Sequence, residues 1–369
     1  MSNRAVLVIS GFNNRAVIAF CRWATDNAIP FHIVASSQQD PIFLTEYKNR
    51  VSITRESPQL SPELFCMWVE SMCRQYGYEK IIILPSTEYL NRFLLKNRVA
   101  IESAGCAIPL VNEDLYRKIS DKYSFSKLCA SYGLDVPVEF DQLPESLPFV
   151  AKPHSYLSAT GSQLIPHLIQ DTVELERFRK NEDVSNYFFQ EFIFGQSLYL
   201  LAYISKENPD NTILFSQENL MQQSKGGSIV LARSSGFHLS EIASRYVAML
   251  GEQNYFGLIM VEVRRDPSRD RYYMIEANPR LWGPMQFCVD NNVDLLGSML
   301  KDNKFEISKP KMFFTPTEYY FWSGGITEHS QPIAYHSYTA DDFANNFYKI
   351  RQYDIFARKD TIELFINEL

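Results

Sequence analysis

Residues 257–283, GLIMVEVRRDPSRDRYYMIEANPRLWG, constrain the possible folds of this chain more than any other stretch. Apolar and polar residues alternate on both sides of the segment 265–270, which carries Asp-Pro and Ser. Two strands, 257–264 and 271–278, joined by a turn are therefore expected. Residues two apart in a strand share a face, so Glu276 and Asn278 point the same way. With a turn symmetric about Ser268, Glu262 falls opposite Met274 and diagonal to Glu276, about 7–8 Å from it. Two glutamates and an asparagine amide oxygen form a hard oxygen set, suited to Mg2+ or Mn2+ and not to zinc. A solvated hairpin face is the ordinary setting for such residues. Here they lie among Ile259, Val261, Ile275 and Ala277 and run straight into Pro279 and Arg280, which favours a metal site.

The first third of the chain follows a different grammar. Strand-like runs at 5–10, 31–35 and 80–84 alternate with helix-like runs at 15–27, 62–76 and 88–97, the pattern of a parallel sheet with helices on its faces. Gly11 ends the first strand, but SGFNN at 10–14 has a single glycine and no Gly-x-Gly-x-x-Gly, which argues against a dinucleotide site. Loops at the carboxyl ends of parallel strands commonly face a ligand crevice. Gly11 and the 85–88 segment, with Glu88, are expected on that edge.

A second unit begins near residue 112. Its pattern predicts a helix over 114–133, a strand at 149–152, a small polar loop at 154–163 and a helix at 173–180. Strands at 187–192 and 198–204, a glycine loop at 224–228 and a helix at 238–250 follow. Lys152 ends a strand and precedes Ser155, Ser158, Thr160, Gly161 and Ser162. The amides of such a loop can close on phosphates while the lysine supplies a point charge. Lys122 follows Ser120 and Asp121, residues able to cap a short helix.

Bulk properties remove several classes of function. A net charge of −7 does not suit a surface that neutralises nucleic-acid phosphates. The six cysteines form no Cys-x-x-Cys pair and read as buried thiols of a reducing compartment. No apolar run approaches the roughly 20 residues that span a bilayer, and no leader pattern is evident at the amino end. A cytoplasmic protein without nucleic-acid or membrane partners is expected.

Several strings, taken in order, resemble the ATP-grasp superfamily: Asp121-Lys122 before a helix ending GLDVP (133–137), VAKP (150–153), FQEFIFG (189–195), the GGS loop (226–228) and IEANPR (275–280). The NPRLWG ending is similar to the carboxylate–amine ligase branch. The likeness covers about residues 1–310. It implies a biotin carboxylase and carbamoyl-phosphate synthase type of architecture, mixing α/β and α+β. An amino-terminal parallel-sheet domain (1–111) would precede a two-lobed ATP-grasp domain with antiparallel sheets, divided into 112–192 with the small lid and 193–310 with the metal ligands. Residues 311–369 would pack on the core as an extension, with substrate contact or a homodimer interface as alternatives.

The resemblance also implies roles. Lys122 and Lys152 would contact the α- and β-phosphates of ATP, and Gln190, Glu191, Phe192 and Ile193 would form the hinge that reads adenine. Glu262, Glu276 and Asn278 would hold Mg2+ or Mn2+, and Arg280 would face the transferred phosphoryl group or the acyl phosphate. Residues 225–228, with Gly226, Gly227 and Ser228, would form a loop near the acceptor, and Arg233 an anion contact. Many relatives carry an acidic residue two positions after the hinge glycine, for the ribose. Gly195 is instead followed by Gln196 and Ser197, so the alternatives are weaker ribose recognition, a contact from Gln196 or a contact from elsewhere. The implied reaction activates a carboxylate as an acyl phosphate and couples it to an amine, releasing ADP and phosphate, with amino acids among the candidate substrates. The alternatives are a non-amine acceptor and a nucleotide-binding regulator without turnover.

Overall fold

The computed structural model describes residues 3–208, 211–307, 317–327 and 332–369. Five parallel strands form the first sheet, in the spatial order Val51–Thr54, Phe31–Ala35, Arg4–Ile9, Lys80–Ile83, Cys106–Ala107. The chain lays strands to one side of Arg4–Ile9 and then returns to its other side. The carboxyl ends of Arg4–Ile9 and Lys80–Ile83 therefore flank the reversal point, where a crevice opens. Helices start close to this edge. Thr87 caps the helix Glu88–Lys96 by accepting from the Leu90 amide at 3.1 Å.

The helix Asn14–Asp26 is buried continuously from Ala16 to Ala24, because it is wedged between the parallel sheet and the helix Met285–Asp290. Val17, Phe20, Leu281, Trp282 and Met285 share one core as a result. That shared core joins the amino-terminal sheet to the segment following Asn278.

A small antiparallel sheet follows, in the order Glu139–Phe140, Tyr187–Glu191, Phe149–Pro153, His167–Ile169. It has its own cluster, centred on Phe149, Phe178 and Phe189. The largest sheet has seven strands: Arg271–Asn278, Gly257–Asp266, Gln196–Ile204, Ile213–Gln223, Ile229–Ser234 and Tyr319–Phe321 in order, with Ile333–Tyr335 added beside Ile213–Gln223. The carboxyl-terminal residues thus extend this sheet, and Ile350 and Phe321 close a satellite core over it. Among the described residues no helix is long and apolar enough to cross a membrane. All six cysteines are free thiols, four of them buried.

Three expectations need correction. The 114–133 run is two helices, Glu113–Ser120 and Lys122–Ser131, broken at Asp121. Asp121 stands at the cap position without capping; its carboxylate turns to Arg92 at 2.5 Å. The hairpin register also differs. Glu262 lies directly opposite Glu276, and Val263 opposite Met274, because a bulge at Ile275 shifts the pairing. Finally, the long strands Ile213–Gln223 and Ile229–Ser234 fall outside the sequence-based pattern. Of the aromatic-rich end of the chain, residues 313–316 lie outside the described residues, as does the side chain of Lys225.

Candidate active site

Directly opposed residues of an antiparallel pair have Cβ atoms about 4.5–5.5 Å apart, and like charges placed so are destabilising. Glu262 and Glu276 therefore call for a cation. Lys122, at the first turn of its helix, supplies one, its ammonium donating to a Glu276 carboxylate oxygen. Asn278 donates to the other oxygen at 2.7 Å. Burial pushes the Glu276 carboxyl up, but Lys122, the Asn278 amide and Arg280 outweigh it and hold it at about 2. Glu262 is shifted upward by burial and by Glu276, against the pull of Arg264 at 3.7 Å. An ammonium on one of two facing carboxylates stands where a divalent cation would sit, so this donor set fits Mg2+ or Mn2+. The Asn278 oxygen accepts from Arg280 at 2.8 Å and would exchange that partner for the metal.

Lys152 reaches the same place from the small sheet. Its ammonium is buried and donates to the carbonyl of Ile275, the bulged residue, at 2.8 Å. Burial, with Lys122 nearby, drops it to about 7, while Glu276 and Glu262 pull the other way. A lysine so desolvated gains from any anion that enters.

Arg280 projects from a turn that the amino-terminal sheet grips. Pro85 accepts from the Leu281 amide at 3.0 Å. The Asn13 amide group donates to Ser86 O at 3.0 Å and to Leu281 O at 3.1 Å. The fully buried Asn91 donates to Pro279 O at 3.3 Å. The Arg280 Nε is buried without a hydrogen-bond partner. A cavity of about 650 Å3 opens here, bordered by Asn13, Ser86, Glu88, Lys122, Asn278 and Arg280. That volume lies in the range of small-molecule sites, roughly 300–1,000 Å3.

The other sequence candidates are distributed unevenly. Glu88 lines the cavity but is already tied to Arg92 at 2.7 Å and Tyr116 at 2.8 Å. Gly11 stands behind the lining at φ +90°, where a Cβ would strike Ser36, so its role is a tight turn. Ser155 borders the cavity, whereas Gly161 and Ser162 sit at the exposed tip of their loop. Gln190 is buried and donates to Ser126 at 3.2 Å; Glu191 is paired with Arg269 at 2.7 Å. Ile193 is buried, and Phe192 packs edge-on against Phe194. Gly226 and Gly227 are exposed, and Ser228 accepts from Arg15 at 2.7 Å.

Two candidates face away. Tyr199 is the register partner of Glu262, so Ser197 shares the Glu262 face and Gln196 points to the opposite one. There Gln196 bonds Glu218 at 3.2 Å. Arg233 is on that far side too, paired with Glu218 at 2.8 Å. The near face instead carries a row that sequence reading missed: Gln217 donates to Asn219 at 2.7 Å and Asn219 to Ser197 at 2.9 Å. Ser197 in turn approaches Glu262 at 3.5 Å. The sequence offers no local signal for this row, since polar residues at 217, 219 and 222 break the apolar alternation of their strand.

No family model and no curated protein matches this chain. Its similarity is to solved structures. Pyruvate carboxylase of Rhizobium etli superposes over 85% of this chain with a TM-score of 0.58 at 17% identity, and the match spans only 29% of that longer protein. Biotin carboxylase of Campylobacter jejuni, described as an ATP complex, gives 0.58 at 13% identity over 83% of this chain and 72% of its own. L-amino acid ligase of Bacillus licheniformis gives 0.56 at 15% identity over 86% and 79%. Sheet order, lobe arrangement and these superpositions agree: the chain has the ATP-grasp fold of biotin carboxylases and L-amino acid ligase.

Proposed function

We propose that this protein is an ATP- and Mg2+-dependent ligase that activates a carboxylate as an acyl phosphate and joins it to an amine. The observation that carries this reading is the convergence of Lys122 from a helix, Lys152 from the small sheet, Glu262, Glu276 and Asn278 from the largest sheet and Arg280 just beyond it, with Lys122, Asn278 and Arg280 bordering the cavity. Lys122 and Lys152 bind the α- and β-phosphates, and the hinge 190–193 reads adenine. On nucleotide binding, Lys122 exchanges Glu276 for the phosphates, and Glu262, Glu276 and Asn278 are the residues that would hold the metal. The metal, when bound, neutralises charge on the phosphate oxygens.

Arg280, on the border of the cavity, faces the transferred phosphoryl group or the acyl phosphate, where positioning and electrostatics supply most of the rate. The carboxylate oxygen forms a bond to Pγ as the bond from Pγ to the β,γ-bridging oxygen breaks, releasing ADP. The amine nitrogen then attacks the acyl carbon and loses a proton to solvent, and the C–O bond to phosphate breaks. The 154–166 segment covers the intermediate and limits its hydrolysis. We assign the domains as 1–111, 112–310 and 311–369, and place the protein in the cytoplasm.

Incubation with ATP, Mg2+ and a panel of acids and amines tests the reading. Release of ADP and phosphate with an amide product is expected. Release of AMP, or tight ATP binding with no product from any acid, would overturn it.

A further inference from the structure

The glycine turn at 224–228 joins two long strands of the largest sheet, and its tip is open: Gly226 and Gly227 are exposed, and Gly226 adopts φ +75°. Short-range bonds close it. The Gly227 amide donates to Gln223 O at 3.2 Å, and the Gln222 side chain donates to Gly227 O at 2.8 Å. Further bonds come from the two ends of the chain. From the amino end, Arg15 donates to Ser228 Oγ at 2.7 Å and to Ile229 O at 3.0 Å. From the carboxyl end, Pro332 O accepts from the Ser224 amide at 2.9 Å, and Gly325 O accepts from the Gln223 side chain at 3.1 Å.

The Arg15 guanidinium is itself clamped. The buried Tyr320 hydroxyl accepts from it at 3.2 Å, and the Trp322 ring lies 4.0 Å away, face on to the cation. Trp322 is fixed in turn by its indole N–H, which donates to Glu368 at 2.8 Å. The remaining wall is Gly283, where a Cβ would come within 2.8 Å of the guanidinium. The NPRLWG string therefore ends in glycine at a place where Arg15 fills the space of a side chain. The acceptors of Arg15 among the described residues are all neutral, so its planar fork ties two elements together and neutralises no carboxylate.

We infer that Arg15 is a positioning residue for the acceptor step: it holds the 224–228 turn in place, supported from behind by Tyr320, Trp322 and Glu368 of the carboxyl-terminal segment. This inference rests on the ligase reading, in which the turn lies beside the amine. Activation of the acid takes place around Lys122, Lys152, Glu276 and Arg280, none of which touches the turn, so the two half-reactions separate. A loosened turn costs affinity for the amine and leaves acyl phosphate formation intact.

The experiment measures both half-reactions of the full chain with ATP and Mg2+. Hydroxylamine at high concentration intercepts the acyl phosphate as a hydroxamate, and the amine that the parent protein couples best reports the acceptor step. Arg15→Met and Arg15→Lys should each raise KM for the amine about tenfold, the scale of the one or two hydrogen bonds lost. Hydroxamate formation and KM for ATP should stay at the parent values. Glu368→Ala should raise KM for the amine about threefold, the scale of a weakened cation–π contact, and Glu368→Gln, which keeps an acceptor for Trp322, should restore it. Hydrogen exchange of the 222–229 amides gives a readout that needs no turnover, and it should quicken in both Arg15 variants and in Glu368→Ala. An unchanged KM for the amine, or equal losses in hydroxamate and amide, overturns the inference and leaves the ligase reading standing. A raised KM with unchanged exchange overturns it too, since Arg15 would then touch the amine itself. A parent protein that forms neither product from any acid overturns the ligase reading, and the acceptor role of Arg15 with it.

Discussion

The segment 276–281 and the segment 154–166 border the same cavity, yet they are held in opposite ways. The first sits in the largest sheet and is gripped by Pro85, Asn13 and Asn91 of the amino-terminal unit, with Pro279 and Leu281 buried. The second bonds chiefly to itself: Ser158 donates to Ser162 O at 2.8 Å, Ser155 to Leu157 O at 2.7 Å, and most of its residues are exposed. Groups that must meet developing charge gain from being fixed beforehand. A cover that has to admit nucleotide cannot be fixed in the same way. Changes in the first segment should therefore act on kcat, and changes in the second on KM and on leakage to water.

The largest effect is expected at the carboxylates. Glu276→Ala should lower Mg2+-dependent turnover by about a thousandfold, with circular dichroism and elution volume unchanged. Turnover within tenfold of the parent would remove Glu276 from the metal set. Arg280→Lys keeps the charge but loses the planar fork. A drop in kcat of about a hundredfold with KM for ATP little changed is expected, again at the scale of one lost oxyanion donor. Equal losses in KM and kcat would mean that Arg280 only binds.

A finer break in the comparison lies at Asn13. It begins the helix Asn14–Asp26 at φ 52°, a left-handed conformation, and its side chain makes no cap hydrogen bond. The amide is spent instead on Ser86 and on Leu281, next to Arg280. Glycine adopts that backbone freely, so Asn13→Gly removes the bridge without adding strain. kcat should fall about tenfold, the cost of roughly one hydrogen bond at 1.4 kcal/mol, while Tm and KM for ATP hold. A fall in Tm with kcat intact would make Asn13 a structural residue. On the covering side, Tyr156→Ala removes the ring over Arg92. A rise of about threefold in KM for ATP is expected, the scale of an exposed cation–π contact, together with more ADP released per amide formed. A pure kcat defect would contradict the division of labour.

These two segments also differ in how far sequence exposed them. IEANPR at 275–280 and VAKP at 150–153 are local strings, and the residues they contain, Lys152, Glu276, Asn278 and Arg280, do converge in the fold, with Glu262 of the preceding strand opposite Glu276. The grip of Asn13 and Asn91 on the 279–281 turn joins residues 188 and 268 positions apart, and no local pattern encodes it. The strand Ile213–Gln223 was hidden because Gln217, Asn219 and Gln222 are buried polar residues, which defeats an apolar alternation. Missing that strand also hid Glu218, the partner that draws Gln196 and Arg233 to the far face. One bulged residue, Ile275, turned a diagonal pair of glutamates into a facing one.

Lys152 gives the subtlest test, because it spans both regions, rising from the small sheet to the carbonyl of Ile275. Its ammonium titrates at about 7, against an ordinary lysine value of 10.5, through burial and the neighbouring Lys122. Between those two values the unfolded chain binds the proton more tightly than the folded one. Stability without nucleotide should therefore fall as pH drops from about 10.5 to about 7, and this contribution should level off below that. Lys152→Met should accordingly raise Tm below pH 7 and lose that advantage at high pH. Phosphates favour the charged form, so nucleotide binding must pull the group's titration upward and take up a proton. At pH 8 the free lysine is mostly neutral and uptake should approach one proton; at pH 6 it is already charged and uptake should be near zero. Titrations of Mg-ADP in two buffers of different protonation heat read this number directly. Equal heats in both buffers at pH 8 would mean that the phosphates never reach Lys152, and the small sheet would then cover the nucleotide without binding its charge.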